Sequence, residues 1–104
     1  MKLKGKTKKQ AKIQAYPVLY VILTKRIDNG DEEVFNLEDG DGKTVFKTKE
    51  EAKRLLKHDT EKLIELYDNA KDIQCHYTSD EEEVEVTIPI GKGEIFVRAK
   101  IVGI

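Results

Sequence analysis

Glu83-Val84-Glu85-Val86-Thr87-Ile88-Pro89-Ile90, then Gly91-Lys92-Gly93-Glu94, then Ile95-Phe96-Val97-Arg98-Ala99-Lys100-Ile101: the reading of this stretch decides the fold. Val84, Val86, Ile88 and Ile90 alternate with Glu83, Glu85, Thr87 and Pro89, and Ile95, Val97, Ala99 and Ile101 alternate likewise after the glycines. Successive side chains of a strand point to opposite sides, so a period of two puts one set in a core and the other in water. A two-residue loop at Lys92-Gly93 pairs Ile90 with Ile95, Ile88 with Val97, Val86 with Ala99 and Val84 with Ile101. On the other face it sets Glu85 against Lys100, Thr87 against Arg98 and Pro89 against Phe96. A slip by one residue would oppose apolar side chains to charges, so the facing of both strands is strongly specified.

Working back from this hairpin, Ile73, Cys75 and Tyr77 alternate with Gln74, His76 and Thr78 and read as a further strand. Before it, Thr48-Lys49-Glu50-Glu51 is a capping box, in which the threonine hydroxyl accepts from the Glu51 N–H and the Glu51 carboxylate reaches back. Ala52, Leu55, Leu56, Leu63, Leu66, Tyr67 and Ala70 follow at helical spacing, with a fault at Asp59 where an apolar residue is expected. Either one helix runs over about 49–70, or it breaks near His58-Asp59-Thr60. Earlier still, Val18 to Thr24 reads as a strand apolar on both faces, and Asn29-Gly30 as a hairpin turn that sets Ile22 opposite Leu37, Thr24 opposite Phe35 and Arg26 opposite Glu33. After the turn Glu38-Asp39-Gly40-Asp41-Gly42, a short strand over Lys43 to Phe46 completes a meander. Two three-stranded meanders on either side of one helix or broken helix pair predict an α+β domain, β-β-β-α-β-β-β, with an antiparallel sheet packed on the helix. Pro89 cannot donate to a ladder, so its strand should lie at an edge, or its nitrogen should face away from a partner.

The chain has 104 residues, enough for one domain that buries roughly 60–70% of its unfolded surface. With 38% hydrophobic and 38% charged residues, it reads as a small core under a polar surface rather than as a disordered chain. The 19 basic and 20 acidic side chains nearly cancel, so net charge argues for neither a nucleic-acid binder nor a nucleic-acid mimic. Its single cysteine, Cys75, cannot form an internal disulfide. The longest apolar run, Tyr16 to Leu23, contains a proline and falls far short of the roughly 20 residues that span a bilayer. The lysine-rich start lacks the apolar segment of a secretory signal. A soluble cytoplasmic protein without a membrane partner is expected.

Charge is uneven along the chain. Lys2, Lys4, Lys6, Lys8, Lys9 and Lys12 occur with no acid among them, so residues 1–12 read as a basic flexible tail and 13–104 as the folded domain. No aromatics interleave these lysines as a base-stacking surface would require. The acidic run over 79–85 reads as a turn leading into the strand at Val84.

The search for chemistry returns little. Cys75 and His76 are adjacent, but neighbouring residues of a strand face opposite ways, so they cannot form a thiolate–imidazolium pair. One cysteine and two distant histidines lack zinc spacing. Asp39-Gly40-Asp41-Gly42 resembles a calcium loop only in part: with Gly42 at position six, Leu37 falls at position one and Thr48 at position twelve. Gly91 and Gly93 join two strands rather than opening a helix, so they form no phosphate cradle. No catalytic residue, cofactor or metal is therefore expected; an enzyme would need His58, Asp59 or His76 to converge. What remains is a surface. Phe96 lies between outward-facing charges, and Pro89, Phe96, Arg98, Lys100 and Val102 make an apolar strip bordered by charge, of the composition that protein interfaces favour. The alternative cover for Phe96 is the segment around Ile13 and Tyr16. The expectation is a small non-catalytic interaction or regulatory protein, with a protein partner or a homodimer. A nucleic-acid-binding accessory protein, using the Lys2 to Lys12 arm, is the alternative.

Overall fold

The structure, a computed structural model, describes residues 19–104. Its elements are β1 (Tyr20–Asp28), β2 (Asp31–Asn36), α1 (Lys49–Leu66), β3 (Gln74–Tyr77), β4 (Glu83–Ile90) and β5 (Gly93–Gly103). The strands form one antiparallel sheet in the order β2-β1-β5-β4-β3, with α1 on one face. The α+β architecture expected from the sequence is present. Ile22, Leu37, Phe46, Ala52, Leu56, Val84, Val86, Ile88, Ile95, Ala99 and Ile101 form the core between the two layers.

The first hairpin follows its turn chemistry. Asn29 (φ 50°) and Gly30 (φ 92°) both take positive φ, as a type I′ loop requires, and Thr24 meets Phe35 while Arg26 meets Glu33. The third segment is shorter than expected. It contributes one bridging pair, Phe46 with Tyr20, closed by two N–H···O bonds of 2.8 Å. The reason is competition for one edge: β2 occupies β1 over Leu23–Asp28, and only Tyr20 is left for the returning chain. The Asp39 carboxylate accepts from the N–H groups of Asp41 and Lys43 at 2.9 Å each, and this tight turn delivers Phe46 to the core.

Thr48 caps α1 as the sequence requires, its hydroxyl accepting from the Glu51 N–H at 3.1 Å. The Glu51 carboxylate reaches back to the Lys47 N–H and also pairs with Lys43. The helix passes through His58-Asp59 without a break and ends at Leu66, short of Ala70. Thr60 rather than Asp59 takes the buried position after Ala52 and Leu56, four residues apart along one face. Its hydroxyl donates to the Leu56 carbonyl at 2.7 Å, so this buried polar group is met. Leu66, part of the expected stripe, is 77% exposed.

The terminal hairpin keeps its facing but not its register. Ile88 pairs with Ile95, Val86 with Val97 and Val84 with Ala99, so the loop is Gly91-Lys92. This is a two-residue shift from the expected pairing, and a shift by two conserves the face of every side chain. Gly91 sets it, taking φ 56° at the first central position, where a type II′ loop requires glycine. Gly93 serves another purpose: a Cβ there would overlap the Asn29 side-chain oxygen. The tip of the first hairpin sits where that Cβ would be, and the Asn29 N–H donates to the Glu94 carbonyl. Accordingly Phe96 pairs with Thr87 rather than Pro89, and Arg98 with Glu85. β4 is an interior strand. Its Pro89 lies beyond Thr87, the last residue paired to β3, so its nitrogen faces no ladder partner.

Candidate interaction surface

Two faces of the sheet meet different surroundings. Tyr20, Ile22 and Thr24 of β1, Val97 and Ala99 of β5, and Cys75 and Tyr77 of β3 point towards α1 and its core. The alternate residues form an outer face on which, among the described residues, no helix is packed. All five residues of the expected strip, Pro89, Phe96, Arg98, Lys100 and Val102, lie on this outer face. Pro89, Phe96 and Val102 are half-buried; Arg98 and Lys100 are exposed. Phe96 has Ile27 beside it on β1, Thr87 beside it on β4, and Pro89 at the diagonal position. Ile13 and Tyr16, considered as its cover, lie outside the described residues, as do Lys2, Lys4, Lys6, Lys8, Lys9 and Lys12.

The pairing adds residues that the strip did not include. Leu23 is paired with Lys100 and Lys25 with Arg98, while Val34 of β2 is paired with Lys25. Leu23 is 48% and Val34 57% exposed, and with Lys25, Arg98 and Lys100 they line a shallow depression of about 250 Å³. The sequence reading of Val18 to Thr24 as a strand apolar on both faces singled out neither Leu23 nor Lys25, and β1 runs over Tyr20–Asp28 instead. Only the pairing of β1 with β5 brings them beside Arg98 and Lys100.

Charge on this face is sorted by strand over the stretch where Glu83 and Glu85 of β4 lie level with Lys100 and Arg98 of β5, with Lys25 of β1 beyond them; Glu94 at the turn end of β5 and Glu32 of β2 add acids outside that stretch. The Arg98 Nε donates to Glu83 at 2.6 Å and lies 3.6 Å from Glu85. These carboxylates, Glu83 foremost, hold the guanidinium even more firmly protonated than usual. Among the described residues, Lys25 and Lys100 have no acidic partner within 4 Å.

The residues weighed for chemistry do not converge. His76 is exposed on the outer face opposite Glu85, whereas His58 and Asp59 are on α1, across the sheet. Asp59 lies with Arg26, Lys62, Leu63 and Leu66 along a shallow groove, where partial loss of water raises its carboxyl above the ordinary range. The Cys75 thiol is half-buried on the core side, and desolvation raises its pKa too, which disfavours the reactive thiolate. Between α1 and β3, Lys53, Arg54, Lys57, Glu50, Glu81 and Tyr77 line a cleft of about 310 Å³, in which acids offset much of the positive charge. Among the described residues no cluster of three or more His, Cys, Asp or Glu side chains is placed to hold a metal ion, and no helix is long and apolar enough to cross a membrane. Compared with known proteins, the chain matches no family model, no curated protein and no solved structure.

Proposed function

We propose that this protein acts by protein–protein contact through the outer face of its sheet, as a small interaction or regulatory factor of a reducing, cytoplasmic setting. One observation carries the reading. Leu23 and Val34 are exposed on the same face as the half-buried Phe96, Pro89 and Val102, with no described element packed over them. Apolar side chains scattered singly over a surface are ordinary, but a group gathered on one flat face and bordered by arginine and lysine has the make-up of an interface. The single half-buried thiol suits a compartment where disulfides are not made.

Nucleic-acid binding has less behind it. Lys25, Arg98 and Lys100 do gather on this face, but Glu83 and Glu85 adjoin them and, among the described residues, Phe96 is its one strand aromatic. A sheet that reads single-stranded RNA stacks bases on two or three aromatics.

Phe96→Ser is the discriminating change, with Lys57→Glu, in the cleft between α1 and β3 and away from the outer face of the sheet, as control. Circular dichroism should show both variants folded. Proteins recovered from the host with the tagged wild-type chain should be lost with Phe96→Ser and kept with Lys57→Glu. Retention of the same proteins by folded Phe96→Ser would sink the reading.

A further inference from the structure

The sorting of charge by strand makes the outer face complementary to itself, and this identifies an occupant. We propose that it binds a second copy of the chain about a two-fold axis that runs along the strands, between β4 and β5. The inference rests on the protein-contact reading and names the partner.

The geometry follows from the register. A two-fold axis lying in the interface, parallel to the strands, keeps each residue at its level along the strand and exchanges strands across the axis. β5 of one copy then lies over β4 of the other, and β1 over β3. Because Lys100 is level with Glu83 and Arg98 with Glu85, each basic side chain of one copy comes to rest over the acid of the other. Phe96, level with Thr87, faces Thr87 and Pro89 across the axis. The contact is isologous, the commonest closed arrangement of identical chains, and it pairs both charge columns at once. With the axis over β5 instead, Arg98 would meet Arg98 and Lys100 would meet Lys100. Face-to-face sheets pack at about 30°, which the twist of each sheet supplies.

The size of the contact bounds what can hold it. Strands about 4.8 Å apart, at about 3.3 Å per residue, overlap over the eight residues of β4 for the β4–β5 pair and over the four residues of β3 for the β1–β3 pair, and cover roughly 400 Å² a side. Roughly 800 Å² in all falls below the usual size of a stable specific contact, so the dimer is a weak, reversible one held substantially by charge. Its dissociation constant should rise at least about tenfold as salt goes from roughly 0.05 M to 0.5 M, because screening shortens to a few ångströms.

Two reversed chains test the arrangement. One carries Glu83→Lys and Glu85→Lys, the other Arg98→Glu and Lys100→Glu; circular dichroism establishes that each is folded. Analytical ultracentrifugation of the full-length chains should find the unaltered protein dimeric at low salt and each reversed chain at least about tenfold weaker. An equimolar mixture of the two should form a heterodimer. Contacts within one chain cannot produce that rescue, since the reversed pairs in each chain remain like-charged. A salt titration of the unaltered chain stands if a reversed chain fails to fold. Monomer at every salt concentration, a dimer indifferent to salt, or a mixture that stays monomeric would each overturn the proposal. Loss of captured partners with Phe96→Ser alongside a monomeric wild-type chain would remove the second copy and leave the wider protein-contact reading intact.

Discussion

Gly93 shows how one residue can be misassigned when read in isolation. In the run Gly91-Lys92-Gly93, either glycine could belong to the loop, and the two choices differ in register by two residues without moving any side chain to the wrong face. Gly91 belongs to the loop, where it takes φ 56°, and Gly93 is required instead by Asn29, more than sixty positions away in sequence, whose amide occupies the place of a Cβ on Gly93. The consequence is measurable as a double-mutant cycle. Gly93→Ala should cost about 1 kcal/mol with Asn29 present, since the amide must be displaced. In an Asn29→Gly background, where the turn keeps a residue suited to positive φ, the same change should be neutral or slightly stabilising. Chemical denaturation reads the difference, and equal costs in both backgrounds would show that the contact between the two hairpins carries no energy.

At the scale of the element, α1 separates what periodicity can tell from what it cannot. The stripe from Ala52 to Ala70 announced a helix, and the capping box at Thr48 placed its start. Periodicity alone treated Leu56 and Leu66 as equals. In the folded protein Leu56 is 1% exposed and Leu66 77%, because Leu66 lies off the face of Ala52, Leu56 and Thr60, whereas Leu63, Ile64 and Tyr67 carry that face on against the core. Leu56→Ala should therefore destabilise by about 2–5 kcal/mol, while Leu66→Ala should fall within about 0.5 kcal/mol of the wild type. The fault at Asp59 has an equally local cause. A threonine hydroxyl can return its hydrogen bond to the carbonyl four residues back, so Thr60 tolerates burial that an aspartate does not. The candidate surface was legible to a similar degree. Alternation in the last hairpin found Phe96, Arg98, Lys100 and Val102; the contribution of β1, Leu23 and Lys25, needed the pairing of strands at opposite ends of the described chain.

For the molecule as a whole, opposing carboxylates set the response to acid. Asp39 is held below its usual range chiefly by the Lys43 N–H, Glu51 by the Lys43 ammonium, and Asp80 by the Thr78 hydroxyl. A carboxyl with a lowered folded pKa stabilises above its unfolded value, and that contribution is lost as pH falls through the folded one. Asp59 has the opposite sign: raised by desolvation, it binds its proton more tightly when folded, so its ionisation on the way to neutral pH weakens the fold. The melting temperature should fall as pH drops below the ordinary carboxylate range. Asp59→Asn should raise it at neutral pH, with the gain vanishing below about pH 3.8, the unperturbed aspartate value. A gain that persisted unchanged at low pH would show that Asp59 acts through packing rather than through its charge.

The pairing of β1 with β5 also sets a timetable. β1 leaves the ribosome long before β5, yet all nine of its residues find their partners there, from Tyr20 with Gly103 to Asp28 with Ile95. Until β5 emerges, the β1–β2 hairpin must wait with Ile22 and Leu37 uncovered. The middle of the sheet is thus the last part to close, and until it does the edge of β1 that β5 will take stands open to other strands.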